Sequence, residues 1–278
     1  MTPLPDEVSP AVRDDDPLVG ALRRAGCVFA EDEAALLREH ASNAIELDAL
    51  GARRVSGEPL EHIVGWVQFG DLRLSVGPGV FVPRKRSLLL AEQAVGVVAG
   101  FADPVVLEAF CGVAPIASTI AAAFPRVRLH AADVDETALE HARRNLPVHA
   151  HVHRGAGLDA VCADLRGRVD VIAAVPPYVP DDAFGLLAPE ARDHEPRRAL
   201  TGGADGLDQV ADLIGDAREW LSASGVLLVE MNGAQFEALT ARGRVPGDLH
   251  ADPIPGGDGQ TVVARLRHRV GSPRHAHA

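Results

Sequence analysis

The sequence predicts an α/β fold in which a doubly wound, mostly parallel sheet follows a small helical domain and a β-hairpin. Strand-like and helix-like segments alternate from about residue 87 onwards, which is the arrangement that builds parallel sheets. Before that point, apolar residues recur at helical spacing up to about residue 55. They then alternate with period two between Trp66 and Val76, as expected for a strand pair.

Composition and net charge limit the classes of function that the chain can have. The chain has 278 residues, of which 47% are hydrophobic and 24% are charged, so it can fill a packed core. A formal net charge of −12 disfavours nucleic acid as a partner, because phosphate backbones require a basic surface. The three cysteines are widely spaced, so neither a disulfide framework nor a cysteine zinc site is expected. Without an apolar span or a signal-peptide pattern, a cytoplasmic protein with no membrane partner is expected.

Pattern and composition divide the chain into five segments. The first is rich in proline and aspartate, and the last is short and polar, so both ends are expected to be disordered. The segments are a disordered lead at 1–16, an N-terminal helical domain at 17–56, a β-hairpin linker at 57–86, the α/β domain at 87–270 and a flexible tail at 271–278.

The hairpin is predicted from alternation and from a turn signal. Gly77-Pro78-Gly79 is expected to form the turn, and Pro83 is expected to end the second strand. The exposed aromatic residues expected on this hairpin, Trp66 and Phe69, suggest a homodimer.

The α/β domain is predicted element by element from short apolar runs and helical spacing. Asp135 is expected to cap one of the helices. Strands are predicted at 105–109, 127–132, 169–175 and 226–230, and helices at 88–98, 114–123, 137–145 and 206–221.

Three strand ends carry unusual residues, and ligands of parallel sheets bind beyond such ends. The first strand leads from Glu108 into a loop with a glycine at Gly112. Asp133 follows the second strand, where a carboxylate can accept two hydrogen bonds from a ribose diol. A helix cap or a solvated turn is the alternative for Asp133. Val175-Pro176-Pro177-Tyr178 forms a rigid corner after a later strand, because successive prolines cannot continue a ladder.

These motifs, in this order, resemble the protein-(glutamine-N5) methyltransferases, which methylate peptide release factors. The resemblance covers about residues 57 to 235. It implies a class I methyltransferase fold with a Rossmann-like, mostly parallel seven-stranded sheet, and S-adenosyl-L-methionine as cofactor. The matching runs are GEPLEHIVG at 57–65, VFVPR at 80–84, the glycine-loop position at 112, PPY at 176–178 and EPRRALTGGADGL at 195–207.

The resemblance also implies which residues form the site, and it requires no metal. The implied cofactor-binding residues are Arg84, Glu108, Phe110, Cys111, Gly112, Ala114, Asp133, Val134 and Val175. The implied catalytic residues are Val175, Pro176, Pro177, Tyr178 and Glu195.

The chain departs from the family at several of these positions. Val175 replaces an asparagine whose carboxamide pairs with the substrate amide, and an unsatisfied carboxamide loses about 1 to 3 kcal/mol. Phe110 and Ala114 replace two of the three glycines of the family's cofactor loop. The family's Pro-Glu-Thr-Glu run after the hairpin is replaced by Lys85-Arg86-Ser87-Leu88.

The departures lead us to expect a different acceptor nitrogen, namely a guanidino nitrogen of free L-arginine or a similar small molecule. The corner resembles the branch of the family that methylates free arginine in nitrosourea antibiotic biosynthesis. A guanidinium requires carboxylates around it, and Asp193 and Glu195 are the preferred candidates ahead of Asp181 and Asp182. Two alternatives stay open: methylation of a glutamine in a release factor, and an inactive binding protein that keeps the fold.

The histidines carry weaker hypotheses. His149, His151 and His153 alternate along the chain and would share one face of a strand. This spacing is compatible with a metal triad, but an exposed polar edge is the favoured interpretation. His194, between two carboxylates, is a further candidate base.

Overall fold

The computed structural model describes residues 16–269, which divide into two compact units at Val64 and Gly65. The expected disordered lead, apart from Asp16, and the expected flexible tail lie outside the described residues.

The first unit is helical, as predicted. Its last helix, of five residues, was missed because it is too short for a helical period to be visible. Asp16 caps the first helix, since its carboxylate accepts the backbone N–H of Leu18 at 3.0 Å. A small core that includes Leu22, Leu37 and Leu50 holds the unit together. The helices are α1 (Pro17–Arg24), α2 (Ala30–His40), α3 (Ala44–Val55) and α4 (Leu60–Val64).

The hairpin exists, but its turn lies earlier than the sequence predicted. β1 (Trp66–Phe69) pairs antiparallel with β2 (Leu72–Ser75). The two residues between them begin with Gly70, whose φ of 56° suits a tight hairpin turn. The hairpin turn was expected at residues 77–79 because of the proline there. The chain does turn at these residues, but no strand follows them.

The two aromatic residues of the hairpin do not form the exposed surface on which the expected homodimer was based. Phe69 is only 1% exposed and belongs to the core of the second unit. Trp66 is half-buried, and the guanidinium of Arg73 lies 3.8 Å from its ring centroid. The expected pair of exposed aromatic residues is therefore absent from this hairpin.

A seven-stranded sheet forms the centre of the second unit. The strands are β3 (Val105–Ala109), β4 (Arg128–Asp133), β5 (His151–Arg154), β6 (Val169–Ala174), β7 (Leu221–Asn232), β8 (Leu249–Pro255) and β9 (Thr261–His268). Their order is β5-β4-β3-β6-β7-β9-β8, in which the first five are parallel and the last two pairings are antiparallel. The chain order reverses between β3 and β6, so the ligand crevice of such a sheet is expected there.

Helices cover both faces of the sheet, which confirms the predicted fold class. One core packs α5, α6 and α7 against alternate residues of the strands, and the other packs α9 and α10 against the remaining residues. In the part of the chain described, no helix is long and apolar enough to cross a membrane. The helices are α5 (Leu88–Val98), α6 (Pro115–Ala123), α7 (Glu136–Asn145), α8 (Pro189–His194), α9 (Asp208–Trp220) and α10 (Gly233–Ala241).

β8 and β9 were not predicted as strands, nor was β5 given bounds, and for β8 the sequence explains why. β8 contains Pro253 and Pro255, which remove ladder donors and argue against a strand. It lies at the edge of the sheet, where such prolines are tolerated.

Three histidines form a stack at the opposite edge of the sheet. His130 of β4 lies against His151 and His153 of β5, with ring centroids 4.9 and 5.2 Å away. Its Nδ1 is 3.0 Å from Nε2 of His153. Burial, followed by the neighbouring His153 and His151, lowers the pKa of His130 to about 4. Within residues 16–269, no group of three histidine, cysteine or acidic side chains is placed to hold a metal ion.

We expect this stack to make stability depend on pH. Because the folded pKa of His130 lies below its ordinary value of 6.5, the unfolded chain binds the proton more readily. The contribution of the neutral ring is complete above about pH 6.5 and is lost as the pH falls towards 4. His130→Asn should therefore flatten the decline of the free energy of unfolding in denaturant titrations over this range. His149→Asn, which alters an exposed histidine outside the stack, is the matched control, and equal slopes in both variants would contradict the assignment.

Candidate active site

A large cavity lies beyond the carboxyl ends of β3, β4 and β6, at the point where the strand order reverses. Its volume is about 540 Å³, within the range of small-molecule sites. Most residues expected at the site line it, including both the loop after β3 and the proline corner after β6. These residues are Glu108, Phe110, Cys111, Gly112, Asp133, Val134, Val175, Pro176, Pro177 and Tyr178.

The loop after β3 keeps a glycine-type backbone although only one glycine is present. Phe110, Gly112 and Ala114 have φ values of 53°, 52° and 62°, and the first and third replace glycines of the family. A left-handed conformation costs a non-glycine residue about 1 to 2 kcal/mol, so the surrounding structure must hold it. A Cβ added to Gly112 would meet no atom within 4 Å, which leaves room for a ligand against the backbone.

Glu108 is one of the two carboxylates that hold this loop. Its side chain accepts the backbone N–H groups of Ile116 at 3.3 Å and Ala117 at 2.7 Å, so it ties β3 to the first turn of α6. Burial raises the pKa of Glu108 to about 8, although both hydrogen bonds oppose the rise. Burial, followed by Glu108 and Asp133, also raises the pKa of the Cys111 thiol, which therefore lies in the loop as a neutral packed group.

Asp133 is the second carboxylate. Its Oδ2 accepts the N–H of Gly112 at 2.8 Å, and its Oδ1 accepts the N–H of Asp135 at 2.9 Å. Burial raises the pKa of Asp133, against these hydrogen bonds. A carboxylate offers about four lone-pair positions, so both oxygens keep capacity for a ligand diol. The cap of α7 is Asp135, as predicted, which accepts the N–H of Thr137 at 3.1 Å.

Contacts with α10 and with a glycine-rich segment hold the proline corner in place. Gln235 of α10 donates from Nε2 to the Tyr178 carbonyl at 2.7 Å. A Cβ on Gly202 would lie 2.2 Å from the Pro177 carbonyl oxygen, and one on Gly206 would lie 2.2 Å from that of Tyr178. The glycine-rich run at 201–206 therefore allows the backbone to pack against the corner.

Tyr178 connects the proline corner to a buried carboxylate through a hydrogen bond. Its hydroxyl donates to Oε1 of Glu230, at the end of β7, over 3.4 Å. Burial, followed by the charge of Glu230, raises the pKa of Tyr178 to about 12. The hydroxyl is therefore neutral at physiological pH and serves as a hydrogen-bond donor.

Arg84 and Glu195 do not line the cavity, contrary to the expectation that one binds cofactor and the other acts in catalysis. The Arg84 guanidinium donates to both carboxylate oxygens of Glu195 at 2.6 and 2.7 Å. The Glu195 side chain is 1% exposed, and its Oε1 also accepts the N–H of Val82 at 3.3 Å. This ion pair joins the segment after the hairpin to the segment after α8.

The other acidic residues expected to hold a guanidinium are also outside the cavity. Asp181 and Asp182 are exposed, and Asp193 is paired with its neighbour Arg192 at 2.8 Å. Ala114 does not line the cavity either, because its side chain is fully buried. It contributes to the loop through its left-handed backbone conformation.

Sequence reasoning missed Arg86, Glu230 and Gln235. Arg86 lines the cavity beside Tyr178, and its Nε donates to Glu230 at 3.3 Å. The signal for Arg86 was present, since it is a cation where the family has an acidic residue. Glu230 was predicted only as the end of a strand, and Gln235 only as the limit of the family resemblance.

The chain was compared with known proteins. No family model matches it. The release factor glutamine methyltransferase of Streptomyces coelicolor is 39% identical over 198 residues, which cover 70% of this chain and 68% of that relative. The enzyme of the same name from Mycobacterium leprae is 37% identical over 66% of this chain and 64% of its own length. The chain thus spans about two thirds of the length of these relatives.

Two further similarities extend the comparison. The 4-amino-L-phenylalanine/4-methylamino-L-phenylalanine methyltransferase of Streptomyces pristinaespiralis is 32% identical over 230 residues, which cover 80% of this chain and 77% of that relative. A methyltransferase structure from Pyrococcus furiosus superposes with a TM-score of 0.50 at 18% identity, covering 78% of this chain and 98% of that one. The superposition supports the fold alone.

These relatives correct the expected partner. A small-molecule acceptor, L-arginine or an analogue, was expected, but the relatives at 37% and 39% identity are named for a release factor, which is a protein. The two carboxylates preferred for holding a guanidinium, Asp193 and Glu195, are engaged by Arg192 and Arg84 outside the cavity. The expectation of a small-molecule partner is therefore wrong.

The loop conformation can be tested by comparing two alanines. Ala114 and Ala117 are both fully buried, but only Ala114 has a positive φ, whereas Ala117 lies within α6. Both glycine substitutions remove one buried methyl group. Ala114→Gly relieves left-handed strain and Ala117→Gly weakens a helix, so we expect Ala114→Gly to be about 2 kcal/mol the more stable of the two. Equal free energies of unfolding from denaturant titration would contradict the strained loop.

Proposed function

Because this chain belongs to the protein-(glutamine-N5) methyltransferase family, we propose that it methylates the side-chain amide nitrogen of a glutamine in a peptide release factor. The observation that carries the proposal is that the proline corner lines the same cavity as the loop after β3 and Asp133. An acceptor at the corner would therefore lie beside a ligand held by the loop.

The chain is an S-adenosylmethionine-dependent methyltransferase, as expected from its sequence. The residues present fit this cofactor, because the cavity provides open space over Gly112 and a carboxylate with spare acceptor capacity at Asp133. We assign Asp133 to the ribose hydroxyls, and Phe110, Gly112 and Val134 to the walls around them. The kept loop conformation also argues against an inactive binding protein.

The corner has the groups that an amide acceptor requires, apart from the family asparagine. The cofactor supplies a methyl carbon on a sulfonium, so transfer forms a bond from that carbon to nitrogen, leaves the carbon–sulfur electron pair on sulfur and releases one N–H proton to water. Pro176 lines the cavity, and within the described part of the chain no backbone N–H outside the regular elements donates to its carbonyl oxygen. This oxygen can accept an amide N–H and orient the nitrogen.

The proposal is tested by locating the methyl group. The purified protein is incubated with methyl-labelled S-adenosylmethionine and a peptide release factor, with free L-arginine and 4-amino-L-phenylalanine in the same tube. Peptide mass spectrometry is expected to place the label on one glutamine of the factor, and replacement of that glutamine by glutamate should abolish labelling. Label on a free amino acid, or on no acceptor, would contradict the proposal.

Val175 provides a second test of the acceptor. Val175→Asn restores a side-chain donor and acceptor beside the amide, so kcat/KM for the release factor should rise by about 5- to 150-fold, from about 1 to 3 kcal/mol of hydrogen bonding. Val175→Leu, of similar size to asparagine but without polar atoms, is the matched control. Equal activities of the two variants would indicate that the acceptor amide does not lie against position 175.

A further inference from the structure

Arg86 places a cation in the wall of the cavity next to the proline corner. Its side chain is 43% exposed, and its Cζ lies 5.8 Å from the centroid of the Tyr178 ring. Its Nε donates to Oε1 of Glu230 at 3.3 Å. The guanidinium also forms a hydrogen bond with the Tyr178 side chain. Because a guanidinium has five N–H donors, its terminal nitrogens keep donors for a molecule in the cavity.

Glu230 gives Arg86 a fixed position. The Glu230 side chain is 1% exposed, and a buried carboxylate needs a cation or hydrogen-bond donors to remain charged. Its Oε1 contacts both Arg86 and the Tyr178 hydroxyl, whereas its Oε2 has no hydrogen-bond partner among the described residues. The carboxylate thus holds a guanidinium that lines the cavity.

An amide acceptor at this corner needs a donor for its carbonyl oxygen. Pro176 and Pro177 have no N–H, and Val175 has no polar side-chain atom. The Tyr178 hydroxyl is directed at Glu230. Arg198, the other cation in the cavity wall, is paired with Asp135 at 2.7 Å. Arg86 is therefore the cation beside the corner that can supply the missing donor.

We propose that Arg86 is a specificity-determining residue that donates a hydrogen bond to the carbonyl oxygen of the acceptor carboxamide, replacing the donor lost at Val175. This inference rests on the proposed function. The nitrogen lone pair forms the bond to the methyl carbon, the carbon–sulfur pair stays on sulfur, and one N–H proton leaves to water. A guanidinium at the carbonyl oxygen fixes the orientation of the carboxamide, so that its nitrogen faces the methyl carbon.

The test measures kcat and KM for release-factor methylation in Arg86→Met and Arg86→Lys. We expect Arg86→Met to lower kcat/KM by about 10- to 100-fold, the range for a hydrogen bond to a charged group. Arg86→Lys should recover part of this loss, because lysine keeps the charge without the planar fork. Affinity for S-adenosylhomocysteine, measured by calorimetry, should change less than about twofold in both.

Two controls separate this role from a structural one. Arg73→Met removes a guanidinium that stacks on Trp66 of the hairpin and should leave kinetics unchanged. The loss from Arg86→Met should shrink in a Val175→Asn background, because the asparagine supplies a second donor. If Arg86→Met does not fold, as judged by its unfolding transition, Arg86→Lys and its coupling to Val175→Asn decide the question.

The experiments distinguish failure of the role assigned to Arg86 from failure of the proposed function. If the unaltered protein labels no glutamine, the proposed function fails. If it labels glutamine but Arg86→Met keeps full activity, or loses S-adenosylhomocysteine affinity in parallel with activity, or shows no coupling to Val175→Asn, then the role assigned to Arg86 is overturned.

Discussion

The loop between β3 and α6 depends on two carboxylates for its shape, and the cavity depends on the loop. Glu108 binds the first N–H groups of α6, and Asp133 binds the N–H of Gly112. These contacts hold Phe110 and Ala114 in left-handed backbone that their side chains disfavour. The geometry of a glycine-rich loop is therefore maintained by hydrogen bonds and burial, so the loss of two glycines does not imply the loss of the site.

The acceptor side of the cavity is built on a different principle. There the corner is rigid because prolines fix it, because Gln235 holds the Tyr178 carbonyl, and because glycines allow close backbone packing behind it. Its polarity has changed relative to the family, since an asparagine is lost at Val175 and a cation is gained at Arg86. Both residues line the same cavity, which is why their substitutions are interpreted together.

The centre of the fold could be predicted from sequence because β3 and β6 are short, mostly apolar and separated by clear helical periods. β3 and α5 were predicted with the bounds that the structure has. Features set by tertiary contacts could not be predicted: the Arg84–Glu195 pair joins residues 111 positions apart, and β8 contains prolines that only an edge strand accepts. The strand ends pointed to the loop after β3 and the proline corner, which line the cavity, but burial and ion pairing decide which charged side chains reach it.

A crystal structure with S-adenosylhomocysteine would show whether the loop after β3 keeps its shape around the cofactor. We expect the ligand to occupy the cavity beyond β3 and β4, and Asp133 to accept both ribose hydroxyls while keeping its bond to Gly112. We also expect φ to stay positive at Phe110, Gly112 and Ala114. A ligand bound elsewhere, or a loop that changes to negative φ at Phe110 or Ala114 when the ligand binds, would contradict these expectations.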